Sequence, residues 1–471
     1  MLTHEEYARL DGTGLRELIA TGEVTVAEVE AVAHEAIERA NERVNGLTQR
    51  VFESPLAYAD DGPFAGVPFL IKDLGPVAEG VPFTIGSNAL NGVTAQHDSD
   101  LMKRFRAAGL ATLGVTTVPE MAISFATESA RYGITRNPWD LDRGVGGSSG
   151  GAAAMVAAGA VPIAHGGDGA GSLRIPASCC GLVGLKPSRG RVTSGPDTGE
   201  PSFGMAYEFA VTRTVRDAAY LLDAVHGPGV GDKYTAPPPA RRYAEELGAN
   251  AGTLRVAVST KAWSGVAVDP EVAAQAVRAG QILEELGHVV SEASPTVNWE
   301  TAVKAVKGEL AAVAMPWLMS PRQPRPGMVE AVSLAVLREI GELSALGLMA
   351  QLDAQNTVSR SVGAFFTEYD LLVTPTLGQL PAPHGTLQYN NPEHTVDSWL
   401  ESIFEYGPFA VLFNVTGQPA VSLPLGQSTS GLPIGVQFVA PYGREDLLFQ
   451  VAARLEEALP WHDRAPGVFA G

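Results

Sequence analysis

Three segments of this chain carry polar residues whose types and surroundings suit hydrolytic chemistry. Lys72 sits in the apolar run "GVPFLIKDL" (66–74), Ser148 and Ser149 in "GVGGSSGGAAAMVAAG" (144–159), and Ser172 in "DGAGS" (168–172). The chain has seven lysines against 26 arginines, so lysine is not its usual surface cation. Burial among apolar neighbours disfavours the ammonium form and lowers a lysine's pKa. The neutral amine can then act as a general base for a serine. The plainer role of such a lysine is a surface group whose stem covers apolar neighbours. The glycines of "DGAGS" can turn the backbone so that N–H groups converge beside Ser172, a nest that suits an oxyanion. A tight structural turn would use the same glycines.

Taken alone, the run at 144–159 fits a linker, a phosphate cradle or a nucleophile elbow. A linker does not pass directly into "AAAMVAAG", whose alanines favour a buried helix. The phosphate-binding patterns G-x-x-x-x-G-K-[ST] and G-x-G-x-x-G are absent there. Both serines satisfy G-x-S-x-G, framed by Gly146 and Gly150 or by Gly147 and Gly151. An elbow, however, follows a strand and is served by a downstream acid and histidine. The preceding "TRNPWDLDRGV" (135–145) reads as a polar loop, and context singles out none of His165, His226, His288, His384, His394 or His462.

The segments "GVPFLIKD", "GGSSGG", "DGAGSLRIPASCCGLVGLKPSRGRV", "DLLVTPT" and "FNVTGQPAVSLP" together resemble the amidase signature family, from about residue 5 to residue 460. Ser148 follows Lys72 by 76 residues and Ser172 follows Ser148 by 24, which suits that family's motif. The resemblance implies an α/β fold: residues 1–471 as a single domain, a large twisted mixed β-sheet enclosed by helices, its core at about 60–220. It also implies a Ser–cis-Ser–Lys triad: Ser172 the nucleophile, Ser148 the bridging serine in a cis peptide, and Lys72 the base. Backbone N–H groups of Gly169, Ala170, Gly171 and Ser172 would hold the oxyanion. Ser149 is expected to hydrogen-bond the loop or Lys72, and Asp168 and Arg174 to form a salt bridge shaping the loop. Ile123, Phe125 and Thr127 are expected on the substrate pocket.

Two departures from the family pattern bear on the site. Ala170 stands where a glycine is more usual, and "MAISFATES" (121–129) lacks the usual Gly-Ser-Ser-Thr run, which makes that side more apolar. Within the family the strings look most like nylon-oligomer amidases, aryl-acylamidases and urethanases. The implied activity is hydrolysis of neutral, apolar amides, with carbamates and esters, through an acyl-enzyme. The alternative is the glutamine-hydrolysing A subunit of a tRNA-dependent amidotransferase. No cofactor and no metal are expected, and no H-E-x-x-H cluster occurs. A small-molecule amide or carbamate is the expected partner, and a homodimer is allowed.

The elements that must position these residues are partly legible. "GVPFLIKDL" reads as a buried strand, "AGLATLGVTTVPE" (108–120) as a helix end feeding a strand, and the first fifty residues as helical. "LRVAVST" (254–260), a helix with Asp269 as N-cap, Pro270 at N1 and Gly287 closing it, and "HVV" (288–290) form a βαβ unit with parallel strands. Further strands are expected at 370–375, 418–425 and 433–440, and a helical insertion at about 295–365.

Composition limits the partners. A hydrophobic content of 45% supports a large core, and a net charge of −19 disfavours nucleic acid and anionic membrane surfaces. The two cysteines, Cys179 and Cys180, are adjacent and poorly placed to bond each other. The N-terminus shows no basic region followed by an apolar core, so a cytoplasmic protein is expected.

Overall fold

Ten strands join in one sheet in the computed structural model, which describes residues 2–74, 78–320 and 323–471. They are β1 (Val67–Lys72), β2 (Leu110–Thr116), β3 (Ile163–Asp168), β4 (Val183–Lys186), β5 (Tyr207–Thr212), β6 (Arg255–Val258), β7 (Val289–Glu292), β8 (Leu371–Pro375), β9 (Ala420–Gln427) and β10 (Pro433–Val439). Their spatial order is β7-β6-β8-β10-β9-β4-β5-β3-β1-β2. Pairing is parallel at both ends of the sheet and antiparallel through its middle, from β8 to β3. Fifteen α-helices occur among the described residues. β1, β2, β3, β4 and β8 are buried along their whole length, as strands covered on both faces must be.

The local signals explain how the chain enters these elements. The helix Asp100–Ala108 ends on Gly109 at φ +88, a left-handed cap, and the chain passes straight into β2. The helix Pro270–Glu285 begins with the Asp269 carboxylate accepting the Glu271 N–H, and connects the parallel strands β6 and β7. Helices His4–Arg9, Gly12–Thr21 and Val26–Val44 occupy the N-terminal segment, the first and third opened by Thr–Glu capping boxes. Helices Trp299–Leu318, Ala331–Gly341 and Ala345–Phe365 fill most of the later helical stretch.

Near the site the chain takes forms that its local sequence signals poorly. β3 carries "IAHGGD", a sequence poor in β-formers, yet it is a fully buried strand between β5 and β1. "TRNPWDLDRGV" is also not a plain loop. Arg136–Asn137 and Asp140–Gly144 pair as a small hairpin outside the main sheet. The run after Ser149 is a helix, Gly150–Ala157, every residue of which is buried. Its glycines permit close approach: a methyl on Gly151 would lie 2.5 Å from the Thr117 backbone nitrogen. No helix among the described residues is long and apolar enough to cross a membrane.

Candidate active site

Lys72 is the last residue of β1, held between β2 and β3, and is fully buried. Its Nζ lies 2.8 Å from Ser148 Oγ, 3.0 Å from Ser149 Oγ and 3.3 Å from the Gly167 carbonyl oxygen, each within hydrogen-bond distance. Burial lowers its pKa from 10.5 to about 8, although the carboxylates of Glu208, Asp168 and Asp73 pull the other way. A neutral amine has two N–H groups and one lone pair. Gly167 O can only accept, and Ser149 Oγ gives its own hydrogen to Gly167 O at 3.0 Å. Both therefore accept from Nζ, and Ser148 is the one neighbour left to offer a proton to the lone pair. Ser148 and Ser149, alike under the G-x-S-x-G pattern, thus differ in the proton each offers to Lys72.

The turn carrying Ser148 is shaped by close backbone approach. The Gly147–Ser148 peptide is cis, and Gly146 has φ +75. A methyl on Gly147 would lie 2.5 Å from the Ser124 carbonyl, so this position has no room for a side chain. The Ser149 N–H donates to the Ser172 carbonyl at 3.3 Å, tying the two serine segments together.

Ser172 follows β3 in a loop organised by Asp168. That carboxylate accepts from the Gly171 N–H at 2.7 Å, the Leu173 N–H at 3.1 Å, and Arg174 Nε and one terminal guanidinium nitrogen, each at 2.9 Å. Arg174 is fully buried and also donates to the Ala410 carbonyl and Gln437 Oε1, both at 2.7 Å. Asn414 Nδ2 adds hydrogen bonds to the Asp168 carbonyl and carboxylate at 2.8 Å. The guanidinium and these donors outweigh burial and hold the Asp168 carboxyl well below the usual carboxylate range. Gly171 has φ +134, and a methyl there would meet Ala410 Cβ at 2.7 Å, so only glycine suits both torsion and space.

The same loop corrects the expected oxyanion donors. The Gly171 N–H is spent on Asp168 and cannot also face a substrate oxygen. The N–H groups of Gly169, Ala170 and Ser172 make no backbone or side-chain hydrogen bond among the described residues. Residues 169, 170 and 172 also line the cavity that reaches Lys72 and Ser148.

That cavity has a volume of about 420 Å³ and a largely apolar wall: Ile123, Phe125, Leu310, Val313, Trp317 and Phe404. Ile123 is anchored by its carbonyl, which accepts from Trp399 Nε1 at 2.8 Å. Phe125 packs against Phe404, ring centroids 6.4 Å apart. Met121 and Ala122, just before them, have φ +54 and +58, unusual torsions for residues with side chains. Thr127, expected on the pocket, is instead turned into the scaffold. Its hydroxyl donates to the Gly146 carbonyl at 2.8 Å and it does not line the cavity.

Two contributors escape sequence reasoning. His165 Nδ1 accepts the Lys72 backbone N–H at 3.2 Å, and its Nε2 lies 2.7 Å from Glu208 Oε2. That pairing assigns the ring hydrogen to Nε2, which donates to Glu208. Burial lowers the His165 pKa, so the ring braces the Lys72 backbone as a neutral group. "AHGGD" marks a histidine beside the loop, but only the β3–β1 pairing places it under Lys72. Glu309, on the helix Trp299–Leu318, also lines the cavity, and nothing in its sequence context marks it.

The chain belongs to the amidase family, whose model matches residues 15–449, and it is a hydrolase of amide bonds. All ten strands of the sheet and the Lys72–Ser148 contact lie inside the matched span. Among relatives, it is 40% identical to the 6-aminohexanoate-cyclic-dimer hydrolase of Paenarthrobacter ureafaciens, over 97% of this chain and 96% of that one. A solved structure of 6-aminohexanoate cyclic dimer hydrolase complexed with substrate superposes with TM-score 0.90 at 38% identity, covering 98% of this chain and 99% of that one. A bacterial aryl acylamidase shares the fold, with TM-score 0.83 at 24% identity over 96% of each chain.

Proposed function

We propose that this chain hydrolyses neutral amides with apolar substituents, such as anilides or oligoamides, together with carbamates and esters, through an acyl-enzyme on Ser172. The observation that carries this reading is a buried Lys72 amine hydrogen-bonded to Ser148 beside a mostly apolar cavity that Ser172 also lines. Neutral Lys72 takes the Ser148 hydroxyl proton as Ser148 Oγ takes that of Ser172. Ser172 Oγ bonds to the carbonyl carbon, and the carbonyl oxygen becomes an oxyanion facing the N–H groups of Gly169, Ala170 and Ser172. Collapse breaks the carbon–nitrogen bond. The leaving nitrogen takes a proton from Ser148, which recovers one from Lys72. Water then attacks the acyl-enzyme along the same relay, releasing the acid and restoring Ser172.

A carbamate or ester presents the same carbonyl to the same relay. The wall of Ile123, Phe125 and Phe404 favours such substrates over glutamine, whose polar groups lose hydration on entry. The test is a panel of anilides, linear amides, carbamates, esters and glutamine, compared by kcat/KM. Apolar amides are expected to rank above glutamine by about 10²-fold or more, with measurable carbamate and ester turnover. Glutamine ranking first would overturn the reading.

A further inference from the structure

Glu309 projects from the helix Trp299–Leu318 into the cavity, 8% exposed, and makes no hydrogen bond or ion pair among the described residues. It sits against the oxyanion loop: a methyl built on Gly169 would lie 2.2 Å from Glu309 Oε1. The bare Cα of Gly169 therefore makes room for this carboxyl. Its neighbours on the wall are Val306, Leu310 and Val313, which offer it no hydrogen bond. Burial, with the Asp168 charge nearby, pushes the Glu309 pKa well above the usual carboxylate range. A protonated carboxyl carries one O–H donor and one carbonyl acceptor. A group so placed and left unpaired is costly unless a bound molecule completes it.

In the proposed mechanism the scissile carbonyl sits at the loop beside Ser172. A trans secondary amide points its carbonyl and its N–H in opposite directions, so one carboxyl meets one of them, and the carbonyl is the partner that the O–H of a carboxylic acid requires. We propose that Glu309 is a specificity-determining residue that recognises a second amide of the substrate, giving its O–H to that amide's carbonyl. The substrate class is a diamide or longer oligoamide with an apolar spacer. This rests on the amide-hydrolase reading given above and adds to it a preference that the apolar walls do not supply.

The test uses three substrates with the same anilide leaving group: an alkyl monoamide, the same acyl chain carrying an internal second amide, and one carrying a primary ammonium there. The wild type is expected to prefer the diamide to the monoamide by about tenfold or more in kcat/KM. Glu309→Leu is expected to lower that ratio about 10- to 100-fold, mainly through KM. Glu309→Gln keeps one donor and one acceptor and is expected to hold the ratio within about threefold of wild type. A diamide ratio unchanged in Glu309→Leu, or reduced as far in Glu309→Gln, would overturn the proposal. So would a wild-type preference for the ammonium substrate that Glu309→Gln abolishes, since that marks a carboxylate–ammonium pair. The wild-type ratio and the Glu309→Gln result keep the test decisive even if Glu309→Leu does not fold. Failure of the wild type to cleave any of the three would count against the amide-hydrolase reading instead.

Discussion

Replacing Ser172 with alanine is expected to lower kcat/KM by about 10⁴- to 10⁶-fold, the scale on which hydrolases lose activity with their nucleophile. No residue stands ready to replace it. Ser149 is buried and gives its hydroxyl hydrogen to the Gly167 carbonyl while accepting from Lys72 and the Gly167 N–H. Ser148 is hydrogen-bonded to the same amine but lies outside the loop after β3, whose residues 169, 170 and 172 line the cavity. The fold should survive the change, because the loop is held by Asp168, Arg174, Asn414 and Gln437 and not by the Ser172 side chain. Steady-state kinetics with an anilide, beside a thermal melt, separate the two effects. A loss below tenfold would remove Ser172 from the nucleophile's role.

Replacing Lys72 with methionine keeps a long apolar stem in the buried site while removing the amine, and is expected to cost about 10²- to 10⁴-fold in kcat/KM. The pH profile is the sharper readout. With the pKa at about 8, the wild-type amine is roughly one-tenth neutral at pH 7 and mostly neutral by pH 9. The wild-type kcat/KM is therefore expected to rise with pH and level off above about 8, and the variant's residual rate to lose that limb. The same shift bears on stability. Between about 8 and the ordinary 10.5 the unfolded chain holds a proton on this lysine that the folded chain does not, so its contribution to stability increases with pH across that window. Activity of the variant within tenfold of wild type, with the limb intact, would mean that another group is the base.

The legible parts of the fold were those where local chemistry and tertiary environment agree. β1 is a run of apolar residues that ends up buried on both faces, and the unit from β6 through Pro270–Glu285 to β7 carries its own cap signals. β3 was not legible, since "IAHGGD" has little strand propensity and is held extended by β5 and β1 on either side. Its glycines serve packing: a methyl on Gly166 would lie 2.6 Å from Leu173 Cδ2.

The site divides along the same line. Lys72, Ser148 and Ser172 could be picked out because their motifs are local and their residue types carry the chemistry. The assignment of individual N–H groups could not, because it depends on Asp168 reaching back to Gly171 across the turn. Thr127 lies two residues beyond Phe125, but its hydroxyl is drawn to the Gly146 carbonyl and away from the cavity. Glu309 comes from a helix that follows Ser172 by more than 100 residues, and only the packing of that helix over the loop brings it to the cavity.

The most direct measurement is reaction with a fluorophosphonate, followed by peptide mapping of the modified serine. One phosphonyl group per chain is expected on Ser172, with labelling abolished in Ser172→Ala and strongly slowed in Lys72→Met. A label on Ser148 or Ser149 in the wild-type protein would contradict the assignment of the nucleophile and, with it, the proton relay built on Lys72.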